Sequence, residues 1–270
     1  MKMGLFPGFI VLVILLMVPL GSSANTFDNL VVYGDSLSDN GNFGRYTDIG
    51  GDIWVETLAT SLGADLYDYA YGGATTGYDN PAANLGYTGL QWQVDTVAVP
   101  STGNTLFSVW AGANDFLQMR NFSIAAANIG IALDKLYTAG ARDILVGNLP
   151  DIGLTPSIYG SDIQNLASGW TLGFNFALDS VLTAFEYVHT DANLYTFDAY
   201  EMFSTFAPGT AEWLELFWDY DYFHPSSVGH QLIYEAAIAE VAPVPEPSTI
   251  LLLGSGLAGL AWYSRKRKTA

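Results

Sequence analysis

The chain has 270 residues, half of them hydrophobic, 14% aromatic and 13% charged. So much apolar material over that length fits one folded domain, or at most two small ones, and argues against intrinsic disorder, despite a formal net charge of −18. The lack of cysteine excludes a thiol nucleophile, thiolate-held zinc, an iron–sulfur cluster and any disulfide framework. Between Asn25 and Pro245 only Arg45, Arg120, Lys135 and Arg142 oppose 26 of the 27 acids, a field that repels phosphate backbones and anionic lipid and rules out a nucleic-acid partner.

The first element is an address. Residues 1–24 open with Lys2, run apolar from Phe9 to Leu20 and reach Ser22-Ser23-Ala24. A basic start, a short apolar middle and small residues at −3 and −1 predict a secretory signal peptide cut after Ala24 by signal peptidase. A membrane anchor is the competing reading, and the apolar run is short for one.

Strands and helices then alternate. Leu30–Tyr33 is a buried strand ending at Gly34, and Ile53–Leu62 a helix stopped by Gly63. Asp65–Tyr71 is strand-like and ends in Gly72-Gly73. Thr105–Trp110 is a strand, Ser123–Leu136 a helix and Ile144–Val146 a strand. Ile163–Val188 is a long amphipathic stretch with Gly169 and Gly173 as soft spots, followed by the strand Leu194–Phe197 and the helix Val228–Val241. Continuously apolar strands alternating with helices predict a parallel sheet covered on both faces, with ligands beyond the carboxyl ends of the strands.

The last element is a second address. Val244-Pro245-Glu246-Pro247-Ser248 precedes fifteen uncharged residues, Thr249–Tyr263, and then Arg265-Lys266-Arg267-Lys268. An apolar run before a basic cluster reads as a stop-transfer segment, here barely long enough to span a membrane, as suits a transient anchor. The arrangement resembles the PEP-CTERM sorting signal of Gram-negative bacteria. The resemblance implies processing near Pro-Glu-Pro by an exosortase-type protease and release to the cell envelope, surface or extracellular matrix. A permanent tail is the alternative. The organisation expected is therefore signal peptide 1–24, folded domain 25–243 and sorting signal 244–270.

Four clusters follow predicted strand ends. In Gly34-Asp35-Ser36-Leu37-Ser38, the serine can project into the crevice with the N–H groups of the next helix N-terminus near it, or serve only as a helix cap. Gly72-Gly73 can bring a backbone N–H close to a ligand oxygen, or form a plain tight turn. The Asn114 amide of Gly112-Ala113-Asn114-Asp115 can donate to a developing oxyanion, or close an Asx-turn. In Asp221-Tyr222-Phe223-His224-Pro225, a carboxylate three residues before an imidazole can hold its Nδ1. Of the other histidines, His189 reads as solvent-facing or a cap, and His230 as core or hydrogen-bonded.

In this order, these blocks resemble the GDSL lipase/esterase family, also called SGNH hydrolases, and specifically its phospholipase/haemolysin-like branch. Gly51-Asp52-Ile53-Trp54-Val55, Leu90–Asp95 and Gly147–Gly153 are similar to further segments of that branch. The resemblance implies a three-layer αβα sandwich with a flavodoxin-like parallel sheet. It implies Ser36 as nucleophile, His224 as general base and acid, and Asp221 as the group orienting it. The N–H groups of Ser36 and Gly73, with the Asn114 side chain, would form the oxyanion hole. Relatives often have Phe-Trp-Asp two residues before His-Pro, whereas here Phe217-Trp218-Asp219 stands four residues before His224. Asp221 keeps the spacing and is preferred, with Asp219 as the alternative. Asp68, where many relatives have Asn, is given no catalytic part. The expected activity is a secreted serine esterase acting on lipid acyl esters or acetylated polysaccharide, with neither metal nor organic cofactor. A non-catalytic surface or matrix-binding protein is the competing class. No Gly-x-Ser-x-Gly elbow supports the α/β-hydrolase alternative.

Overall fold

The computed structural model describes residues 27–82, 86–96 and 104–242, so both predicted addresses lie outside the described residues. Among the described residues no helix is long and apolar enough to cross a membrane.

Five strands form one sheet: β1 (Asn29–Gly34), β2 (Asp65–Asp68), β3 (Thr105–Trp110), β4 (Asp143–Gly147) and β5 (Asn193–Phe197). Their order is β2-β1-β3-β4-β5 and every pairing is parallel. Every residue of β1 and β3 is buried, the physical meaning of their unbroken apolar runs. β2 is shorter than the predicted Asp65–Tyr71. The Asp68 carboxylate turns back to accept the Ala70 N–H at 2.8 Å, a local bond that competes with the ladder. The chain nevertheless stays against β1, with Tyr69 and Tyr71 donating to the carbonyls of Val32 and Gly34.

The helices in chain order are α1 (Trp54–Leu62), α2 (Leu90–Thr96), α3 (Ala113–Leu117), α4 (Phe122–Thr138), α5 (Gln164–Val188), α6 (Ala199–Ser204), α7 (Ala211–Leu214) and α8 (Ser227–Val241). α1 stops at Gly63, as its sequence predicts, in a left-handed cap. α5 runs unbroken through Gly169 and Gly173, and at Gly173 the missing side chain makes room for the Phe122 ring. The short helices α2, α3, α6 and α7 were not expected.

From β1 the chain first steps outward to β2 and then back across to β3, β4 and β5. Right-handed crossovers place helices connecting in opposite directions on opposite faces. α1 accordingly packs with α8, and α4 with α5 and α2. The order reverses between β1 and β3, so a crevice opens beyond their carboxyl ends, where α/β sheets bind ligands.

Candidate active site

The loop after β1 carries Ser36. Gly34 ends the strand so close to β3 that a Cβ there would lie 2.2 Å from the Trp110 carbonyl oxygen, and only glycine fits. The turn that follows is organised by Asp35. Its carboxylate accepts the Leu37 N–H at 3.0 Å and its carbonyl accepts the N–H groups of Ser38 and Asp39. Ser36 is thus held in a tight turn, and the next helix begins only at Trp54. The expectation of a helix N-terminus beside Ser36 is met only in part: the Asp35 carbonyl closes a single helix-like turn on Ser38 and Asp39, and the turn is not continued into a helix.

From the far end of the chain comes the loop between α7 and α8. Asp221 Oδ1 accepts the N–H groups of Phe223 and His224, and Oδ2 lies 2.6 Å from His224 Nδ1. His224 Nε2 lies 2.7 Å from Ser36 Oγ. The loop is braced by Trp218 N–H donating to the His224 carbonyl at 2.8 Å, and it passes through Tyr222 at φ +56°, a left-handed conformation uncommon for a bulky residue. Burial acts to raise the Asp221 pKa. The imidazole hydrogen bond and charge, with the two backbone N–H donors, outweigh it and hold the carboxyl below its ordinary value. Asp219 is exposed on the same loop.

Two further loops complete the rim. Gly73 has φ +81°, open to glycine at little cost. Asn114 sits in the first turn of α3, its Nδ2 donating to the Ala74 carbonyl at 3.0 Å, with Asp35 Oδ2 at 3.4 Å. Next to it, both oxygens of Asp115 are taken by Thr76, through N–H at 2.8 Å and Oγ1 at 2.9 Å. These bonds lash the loop after β3 to the loop after β2. Among the described residues, the N–H groups of Ser36 and Gly73 have no hydrogen-bond partner.

Several supporting groups were not foreseen. Asp35 is fully buried and its pKa is pushed up to about 7 by that burial, against the opposing pull of the Leu37 N–H and His224. Asp39, also buried, accepts the N–H groups of Gly41, Asn42, Gly44 and Gly72, and so moulds the loop after Ser36 while pinning the glycine pair. Asp68 accepts the Asn40 N–H at 2.9 Å, and burial raises its pKa to about 8. Gln93 of α2 clamps Gly34, donating to its carbonyl at 2.8 Å and accepting its N–H at 2.9 Å. Tyr46 packs its ring on His224 with centroids 4.7 Å apart. The signal for Asp39 was its place in Asp39-Asn40-Gly41-Asn42, a turn-forming run, and for Gln93 its place in the family-like segment Leu90–Asp95; Tyr46 had none.

The remaining histidines lie elsewhere. His189 stacks on Tyr137 with centroids 3.9 Å apart and places Nε2 2.9 Å from Asp134. His230 is buried in α8 with Nε2 3.2 Å from the Tyr46 carbonyl, and burial lowers its pKa to about 4, so it is neutral.

The chain is similar to known proteins at each level. It is 31% identical to "Lipase 1" of Photorhabdus luminescens over 157 residues, covering 51% of this chain and 24% of that protein. It is 28% identical to a phosphatidylcholine-sterol acyltransferase of Aeromonas hydrophila, covering 57% of this chain and 53% of the relative. An acetylesterase of Hypocrea jecorina is 26% identical, with coverage of 48% and 50%. The chain therefore spans between a quarter and about half the length of these curated relatives. Among solved structures, a lipolytic G-D-S-L family member from Veillonella parvula matches with TM-score 0.54 at 18% identity, covering 78% of this chain and 96% of that one. An acetylxylan esterase from Geobacillus stearothermophilus matches with TM-score 0.51 at 16% identity, covering 79% and 94%. These likenesses establish the fold. The sequence pattern of PEP-CTERM protein-sorting motifs matches residues 243–268. That of GDSL-like lipases/acylhydrolases matches residues 30–237, and the chain belongs to that family.

Proposed function

We propose that the protein is an exported serine esterase that hydrolyses carboxylic esters through an acyl-enzyme on Ser36. The observation that carries this reading is the unbroken path Asp221 Oδ2–His224 Nδ1, 2.6 Å, and His224 Nε2–Ser36 Oγ, 2.7 Å. With Asp221 ionised and accepting the Nδ1 proton, Nε2 is left with its lone pair toward Ser36. As Oγ attacks the ester carbonyl, Nε2 takes its proton, and the resulting imidazolium is stabilised by Asp221. The N–H groups of Ser36 and Gly73 and one amide hydrogen of Asn114, released from its long bond to Asp35 Oδ2, receive the oxyanion; the other amide hydrogen stays on the Ala74 carbonyl. His224 then protonates the departing alcohol. Water enters, gives its proton to the same nitrogen and releases the acid.

The substrates proposed are lipid acyl esters or acetylated polysaccharide. The relatives named above include a phosphatidylcholine-sterol acyltransferase and an acetylesterase, which supports both kinds of ester as candidates, and the acidic surface disfavours polyanionic ones. In the same reading residues 1–24 are a signal peptide, 25–243 the hydrolase domain and 244–270 an exosortase-processed tail that delivers it to the envelope of a Gram-negative bacterium. The sorting-motif match supports that destination. The test is hydrolysis of p-nitrophenyl acetate and butyrate by the purified protein beside Ser36→Ala. Turnover in the parent and none in the variant is expected; equal rates in both, or none in either, would refute the enzyme.

A further inference from the structure

The loop between Ser36 and α1 brings one aromatic residue, Tyr46, to the site. The Tyr46 ring lies on the His224 imidazole with centroids 4.7 Å apart and planes 36° from parallel. The ring edge and hydroxyl of the same residue rest on Gly72, where a Cβ would come within 2.4 Å of Cζ and closer still to the hydroxyl oxygen. One side chain therefore spans from the imidazole to the glycine pair whose second member, Gly73, is the proposed oxyanion donor. Its backbone is anchored from below, since the neutral His230 holds the Tyr46 carbonyl at 3.2 Å.

The hydroxyl has no hydrogen-bond partner among the described residues, and the residue is only half-buried. A phenol wedged between a base and a glycine turn, with its one donor unspent, is not fully accounted for by packing. Burial, then Asp39, Asp35 and Asp221, push its pKa upward, so it keeps its proton. We propose that Tyr46 is a further residue of this active site: its ring holds the His224 imidazole from one face, and its hydroxyl donates a hydrogen bond to an oxygen of the ester bound against Gly72. The inference rests on the hydrolase reading above. The ring acts through His224 and so positions; the hydroxyl touches substrate.

The two roles separate by substitution. Tyr46→Phe keeps the ring and removes the donor. A neutral hydrogen bond lost on the way to the transition state lowers kcat/KM of p-nitrophenyl butyrate hydrolysis by up to about tenfold. Tyr46→Leu removes the ring as well, and a further fall comes in kcat while KM stays that of Tyr46→Phe. A Tyr46→Phe protein with parental kcat/KM would overturn the donor. A Tyr46→Leu protein no worse than Tyr46→Phe would overturn the positioning role.

A readout independent of turnover guards the ring claim against loss of the hydrolase reading. The chain has only three histidines, so the His224 ring protons are assignable by NMR with His189→Gln as a reference. Those resonances shift in Tyr46→Leu, which removes the ring current, and hold their place in Tyr46→Phe. Resonances that hold their place in both variants would overturn the stack. Should Tyr46→Leu fail to fold, Tyr46→Phe still decides the donor, and Tyr46→Trp, which restores a ring, decides positioning through kcat. Parental activity in Ser36→Ala would overturn the hydrolase reading and the donor with it, and would leave the ring claim to the NMR result.

Discussion

Chemistry in this chain turns on single acceptors placed where several donors converge. Asp221 illustrates it: one carboxylate accepts two backbone N–H groups through one oxygen and the imidazole through the other, so the loop that positions His224 is held by the residue that orients it. The Asp-x-x-His spacing made this legible, because three residues is the reach of a closed turn. The rival Asp219 keeps the family's Phe-Trp-Asp neighbours yet lies exposed. Asp221→Asn should therefore cut kcat by about a thousandfold or more through loss of the tautomer lock, while Asp219→Asn leaves it unchanged. Equal losses in the two variants, measured with p-nitrophenyl butyrate, would reassign the orienting carboxylate. Asp39 and Tyr46 were not legible to the same degree, since their partners, Gly72 and His224, are distant in sequence and no spacing rule links them.

Among the elements, burial decided what could be read. β1 and β3 are buried on both faces and appear as continuous apolar runs, so their place and the crevice between them were predictable. β2 lies at the sheet edge, half exposed, and its Asp-Leu-Tyr-Asp, with a polar residue at each end, gave no clear end. α2 escaped for another reason. Its seven residues, Leu90–Thr96, are too few to show a helical period, and its purpose is local: Gln93 donates to and accepts from Gly34, and also donates to the Thr88 carbonyl at 2.9 Å. The helix fixes the last residue of β1, from which the Ser36 turn departs. Gln93 is fully buried, so Gln93→Leu strands the Gly34 N–H and the Thr88 carbonyl without water and leaves the Gly34 carbonyl to Tyr71 alone. The expected cost is about 2–3 kcal/mol in chemical denaturation, with a fall in kcat as the Ser36 turn loosens. A variant as stable as the parent would show that the Gly34 groups find other partners.

At the level of the whole molecule, charge sets the conditions under which this architecture holds. All four basic residues of the folded segment are already paired, Arg45 with Glu56, Arg120 with Asp79, Lys135 with Asp95 and Arg142 with Asp191. Most of the 26 acids therefore face no cation, and the folded state concentrates their mutual repulsion. Buried carboxyls act in the same direction. Asp35 and Asp68 release their protons near 7 and 8 in the folded chain but near 3.8 when unfolded, so the folded state binds more protons across that window and stability falls as pH rises through it. His230 acts oppositely: folded it titrates at about 4 rather than 6.5, so stability gained on raising the pH is complete by about 6.5. Between pH 6.5 and 8 the carboxyl contribution dominates the change. The melting temperature should decline across that interval and level off above it. Asp68→Asn should melt lower overall, since one of two accepted N–H bonds is lost, yet decline less with pH. Raising ionic strength from about 10 mM to about 0.3 M at pH 8 shortens the screening length several-fold and should raise the melting temperature of the parent. A melting temperature that rises between pH 6.5 and 8, or falls on adding salt, would mean that neither the buried carboxyls nor the surface field governs stability here.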